Sequence, residues 1–146
     1  MKLQIYSTAL YLRLSRDDEQ QGESGSISTQ RQMLTQYCQE QGLRIYDEYV
    51  DDGYSGTNFD RPGFQRMIDD IENGKVNCVI TKDLSRLGRN YILTGQYTEI
   101  YFPSHNVRYI ALNDGIDSSK GESKIAPFLN ILNEMHARQT SKREDI

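Results

Sequence analysis

A chain of 146 residues with 36% hydrophobic content is long enough for one core, because at this length folding removes roughly two-thirds of the surface an unfolded chain exposes. No stretch nears the ~20 consecutive apolar residues of a membrane span, and Met1 to Thr8 lacks the basic-then-apolar pattern of a secretion signal, so one soluble cytoplasmic domain is expected. The formal charge of −4 argues against a general nucleic-acid binder, which carries a basic surplus. That charge is uneven: residues 1–74 hold seven Lys/Arg against thirteen Asp/Glu, and residues 75–146 hold ten against eight. Cationic character is thus concentrated in the second half, and any phosphate contact must be local and specific.

In chain order, Thr8 to Ser15 (TALYLRLS) alternates, with Leu10, Leu12 and Leu14 on one face and Tyr11, Arg13 and Ser15 on the other, and predicts a first strand. A polar loop follows. Ile27 to Gln41 places Ile27, Gln30, Leu34, Tyr37 and Cys38 at helical spacing, and Gly42 sits where a helix stop belongs. Leu43 to Val50 reads as a second strand, and Asp52-Gly53-Tyr54-Ser55-Gly56 is turn chemistry. Pro62 just inside the next helical run, which ends at Asn73-Gly74, occupies the position where a missing N–H costs nothing.

Val76 to Thr81 (VNCVIT) reads as a short strand buried on both faces, as parallel strands between helices are. A helix over Tyr91 to Phe102, closed by Pro103, precedes a fourth strand at Val107 to Leu112. The last predicted helix carries an apolar stripe of Ile125, Phe128, Leu129, Leu132 and Met135, which serves either packing on its own domain or an oligomer interface. The alternation predicts an α/β fold: a three-layer sandwich with a largely parallel central sheet of four or five strands, followed by a long C-terminal helix. The expected division is 1–122 for the compact domain and 123–146 for the start of that helix.

Cys38 and Cys78 each lie among apolar neighbours and read as small buried hydrophobes. With His105 and His136 far apart in sequence, no zinc spacing exists, and no metal or cofactor is expected.

Two clusters carry chemistry. Tyr11, Arg13 and Ser15 put a phenol, a guanidinium and a hydroxyl on one side of the first strand at its carboxyl end, where open α/β sheets bind ligands. Lys82-Asp83-Leu84-Ser85-Arg86-Leu87-Gly88-Arg89-Asn90 follows the third strand at the same edge. If it turns helically, Arg86 and Arg89 share a face. With Arg13 they would form a cage suited to a phosphodiester, since guanidinium forks pair bidentately with phosphate oxygens.

Tyr-x-Arg-x-Ser on the first strand, Asp52-Gly53-Tyr54-Ser55-Gly56 with Asp60-Arg61-Pro62-Gly63, and Leu-Ser-Arg-Leu-Gly-Arg after the third strand occur in one order. Together they resemble the resolvase/invertase family of serine recombinases, from about Ala9 to Arg143. The resemblance implies site-specific DNA recombination by strand cleavage and rejoining, with Ser15 as nucleophile and a 5′-phosphoserine intermediate. It gives Arg13, Arg86 and Arg89 to the phosphate, adds Arg61 as another phosphate contact, and places Tyr11, Gln30 and Asp52 in a supporting polar shell. It implies DNA as partner, a homodimer that becomes a tetramer at synapsis, and neither metal nor cofactor. Ser85 stands where the family commonly has Asp, which leaves Asp83 as a substitute, and Gln139 stands where the family usually has an acid. The long loop from Arg16 to Ser28 resembles the large recombinases of mobile elements, transposases and integrases, whose DNA-binding regions follow the catalytic domain; the resemblance implies that such a region is expected beyond this chain.

Two other classes remain open. A metal-dependent phosphohydrolase would use Asp51-Asp52 or Asp17-Asp18 as carboxylate ligands. A non-catalytic interaction domain would use only the last helix.

Overall fold

The structure, a computed structural model, describes residues 5–15 and 26–120. The apolar stripe from Ile125 to Met135, the division at 122/123, Gln139 and the pair Asp17-Asp18 lie outside the described residues.

Five strands form one mixed sheet: β1 (Ser7–Leu14), β2 (Arg44–Asp52), β3 (Cys78–Thr81), β4 (Arg108–Ala111) and β5 (Ile116–Asp117), in the order β2-β1-β3-β4-β5. The first four are parallel and β5 is antiparallel to β4. Chain direction across the sheet reverses at β1: β2 lies on one side and β3 on the other. The carboxyl ends of β1 and β3 therefore border the switch point at which such sheets open a crevice.

Helices cover both faces. α1 (Ile27–Gln41) sends Leu34 and Cys38 onto Leu10, Leu12, Cys78, Ile80 and Ile110. α2 (Pro62–Glu72) sends Phe64, Met67 and Ile71 onto the opposite face, with Ala9, Tyr11, Tyr49, Val79 and Tyr109. β1 is thus sandwiched, and every residue from Thr8 to Arg13 is buried.

Local signals set the helix ends. Ser26 caps α1 by accepting from the Thr29 N–H at 3.1 Å, and Gly42 closes it at a φ of 69°. α2 begins with Pro62, but Arg61 at its cap position makes no side-chain capping bond. The Asp51 carboxylate takes that role from the sheet, accepting from Gly63 N at 2.8 Å and Phe64 N at 2.9 Å.

Several boundaries differ from expectation. β2 runs two residues past Val50, because Asp51 and Asp52 pair with Arg13 and Leu14. β3 starts at Cys78 because Asn77 is occupied with the first strand's edge: its side chain accepts from Ser7 N at 2.7 Å and its own N–H donates to Ser7 O at 3.0 Å. The short α3 (Leu84–Leu87) stops at an extended Gly88, so Arg86 and Arg89 do not share a helical face. The helix expected over 91–102 is α4 (Tyr91–Gln96), a π-helical turn (Tyr97–Tyr101) and α5 (Phe102–Ser104). Pro103 lies inside its last turn rather than beyond it. Proline has no N–H to donate and its ring crowds the carbonyl four residues back, here that of Glu99, so a widened turn ahead of it accommodates the ring. β5, only two residues long, gave no sequence signal.

Candidate active site

β1 delivers the polar triplet to the crevice, but not as an open face. Tyr11 and Arg13 are 0% exposed and Ser15, one residue past the strand, is 8% exposed. The cost of burying these polar atoms is met by giving them partners.

Arg13 spends its guanidinium on the backbone. Nε donates to Arg86 O at 3.1 Å, Nη1 to Tyr54 O at 3.0 Å and Nη2 to Ser85 O at 2.5 Å. Its main chain is held by Gln30, whose Oε1 accepts from Arg13 N at 3.3 Å and whose Nε2 donates to Arg13 O at 3.0 Å. One side chain thus ties β1 to the 53–56 turn and to α3. Gly56 is the crossing point: a Cβ there would lie 2.8 Å from both Arg13 Nη2 and Arg89 Cγ, while Gly56 O accepts from Arg89 N at 2.6 Å.

Arg86 is 1% exposed and Arg89 is half-buried beyond Gly88. Asp83 caps α3, its Oδ1 accepting from Arg86 N at 3.1 Å and from Ser85 Oγ at 2.6 Å. The carboxylate considered as a substitute for an acid at 85 is therefore bonded to residue 85 itself. Asp114 reinforces the same turn by accepting from Leu84 N at 2.6 Å.

Arg61, 1% exposed, donates through Nη1 to Tyr11 Oη and to Leu87 O, both at 2.8 Å, and through Nε to Asn58 O at 2.9 Å. Its guanidinium lies 4.5 Å from the Phe59 ring centroid. Tyr11 Oη in turn donates to Asp51 Oδ2 at 2.7 Å. Burial raises the pKa of Tyr11 well above the ordinary phenol value, against the lowering effect of Arg61. The hydroxyl stays protonated, accepting from Arg61 while donating to Asp51.

The structure brings together Tyr11, Arg13, Gln30, Arg61, Arg86 and Arg89, with Ser15 at the end of the same strand. Asp52, given to the supporting polar shell, does not join them: it is exposed, and its neighbour Asp51 is the buried one. The signal was alternation. Asp51 is in phase with the buried Tyr49, and Asp52 with the exposed Val50. The same opposition removes Asp51-Asp52 as a paired metal site, since one carboxylate is engaged by two amides and a phenol and the other faces away. Among the described residues no three His, Cys, Asp or Glu side chains gather into a metal-binding group. Cys38 and Cys78 are buried and unpaired with each other, with burial pushing their thiols up to about 11 and about 12. No described helix is long and apolar enough to cross a membrane.

Residues 8–145 match the family model "Resolvase, N terminal domain". The chain belongs to that family, and it is a serine recombinase catalytic domain of the class that carries out site-specific DNA recombination. It is similar to the N-terminal catalytic domain of TP901-1 integrase, with 32% identity, a TM-score of 0.76, and coverage of 92% of this chain and 97% of that one. A resolvase family site-specific recombinase from Streptococcus pneumoniae is 28% identical at a TM-score of 0.76, covering 96% and 94%. A putative DNA recombinase of Bacillus subtilis is 32% identical over 81 residues, which are 56% of this chain and 15% of that relative's length.

Proposed function

We propose that Ser15 is the nucleophile of a DNA strand exchange that passes through a 5′-phosphoserine ester. Its oxygen attacks the scissile phosphorus, the bond to the 3′ oxygen breaks, and that oxygen leaves as a hydroxyl carrying the proton. Attack by a 3′-hydroxyl of the exchanged strand reverses the step and returns the proton to Ser15. The ester conserves the phosphodiester's bond energy, so rejoining needs no nucleotide. Arg86 and Arg89 hold and neutralise the phosphate oxygens. Arg13 maintains the loop from which they project, and Tyr11, Gln30 and Arg61 complete the support.

The observation that carries the reading is the placement of Ser15 and of the Arg86–Arg89 loop at the two strand ends that border the switch point, tied to each other by Arg13. Likeness to an integrase domain supports a role in a mobile element. In this reading a homodimer on each site pairs into a tetramer at synapsis and so brings together the two duplexes that exchange strands.

Covalent capture tests it. Nicked duplexes tiling the DNA that flanks the gene should yield a protein–DNA adduct with the wild type and none with Ser15→Ala. An adduct that persists in the variant removes Ser15 from the chemistry. Although Ser15 is buried, it contributes only a hydroxyl, so the variant should unfold within a few degrees of the wild type.

A further inference from the structure

Asp51 has no part in the chemistry just described, yet its carboxylate, at the end of β2, accepts three hydrogen bonds. Its oxygens accept from Tyr11 Oη at 2.7 Å, Gly63 N at 2.8 Å and Phe64 N at 2.9 Å. The fit around it is close. A Cβ at Gly63 would lie 2.9 Å from Asp51 Oδ1 and 3.0 Å from both Cγ and Oδ2, so a side chain there would displace the carboxylate. Three bonded donors orient it without freedom to rotate.

The bonds do not stop at Tyr11. Because Tyr11 gives its proton to Asp51, a lone pair of its oxygen is left to accept from Arg61 Nη1, and the same nitrogen also donates to Leu87 O. Leu87 lies between Arg86 and Arg89. A continuous run of hydrogen bonds therefore leads from the end of β2, through β1 and the cap of α2, to the carbonyl between the two arginines given to the phosphate. All its side chains are buried, so water does not substitute for a missing link at low cost.

We propose that Asp51 is a positioning residue of the recombination reaction, acting through Tyr11 and Arg61 to fix the Leu87 carbonyl and with it the stations of Arg86 and Arg89. The assignment rests on the recombinase reading above. It differs from a capping role for α2 alone, which would affect stability but not the arginines.

The test uses four variants and two measurements. Asp51→Asn keeps the shape but turns an amide N–H₂ toward a neighbouring N–H donor. Tyr11→Phe leaves the two capping bonds and cuts the run one link further on. Asp70→Asn is the control, since Asp70 lies on α2, the helix that Asp51 caps, and accepts from a different tyrosine, Tyr49. Single-turnover capture on the tiled nicked duplexes should slow on the order of a hundredfold for Asp51→Asn and for Tyr11→Phe, as displaced reacting groups predict. The double variant should be no slower than Asp51→Asn, and Asp70→Asn should match the wild type. Asp51→Asn within about twofold of the wild type, or a double variant whose losses multiply, overturns the proposal. The second measurement needs no DNA: in ¹H–¹⁵N spectra the Nε–H signals of Arg86 and Arg89 should move in both Asp51→Asn and Tyr11→Phe and stay in place in Asp70→Asn. Unmoved arginine signals overturn the proposal even if no duplex is ever captured, whereas moved signals without capture would fault the recombinase reading alone.

Discussion

Arg86 and Arg89 differ in surroundings although three residues separate them. Arg86 is enclosed under the Arg13 clamp, and Arg89 stands half-exposed after the extended Gly88. Their expected contribution lies in the transition state, where fixed donors meet charge that has moved onto the non-bridging oxygens. Arg86→Lys and Arg89→Lys keep the charge but lose the planar fork, so each should slow single-turnover capture by a factor equivalent to about 3 kcal/mol. Noncovalent DNA affinity should change far less in a parallel titration. A matched fall in affinity would make them ground-state DNA contacts.

Two carboxylates in different elements give opposite pH behaviour. Asp117, in β5, meets Arg108 of β4 through bonds of 2.9 Å and 2.6 Å. Burial alone would raise its pKa, but those bonds and the ones from Ser119 outweigh burial and hold it below the usual 3.8. Stability from a depressed carboxylate is complete above the unfolded value and lost as pH falls through the folded one. Asp117→Asn should therefore lower Tm at pH 7 and leave a flatter Tm profile below pH 3.8. Glu99, in the π-helical turn, has a buried Oε1 without a hydrogen-bond partner among the described residues, and burial raises its pKa above 4.5. Here the sign reverses: the charged form is the costly one, so stability is lost as pH rises through the folded value. Glu99→Gln should raise Tm at pH 7 and leave it unchanged at pH 3. A wild-type-like Tm for Glu99→Gln at pH 7 would show that the carboxylate finds compensation in solution.

For the whole molecule, charge decides how DNA is met. Net −4 and an arginine set enclosed in one crevice leave few groups to neutralise phosphates or read base edges. Residues 1–146 should therefore bind duplex DNA weakly and without sequence preference, and should not recombine a plasmid by themselves. A titration at near-physiological salt, comparing the captured duplex with its scrambled counterpart, measures this. Selective submicromolar binding would show that base recognition resides in these residues.

Much of the plan was legible before the structure. The alternation of TALYLRLS, the Ser26 to Gly42 helix and Pro62 at a helix start are short-range signals, and local sterics and capping act within a few residues. Ordered motifs likewise marked the family to which the chain belongs. Other features depended on partners far along the chain. Asp51 is in phase with the buried Tyr49, but the alternation reaches it only because β2 continues alongside Leu14, two residues past the strand the sequence predicts. Arg13 closes on the carbonyls of Tyr54, Ser85 and Arg86, backbone atoms that every residue type carries and that no motif marks. β5 exists because β4 offers it an edge. Residue identity alone determined which groups could meet a phosphate, whereas the packing of β1 between two helical layers determined which are held in place, because a buried polar atom must take the nearest available partner, however distant in sequence.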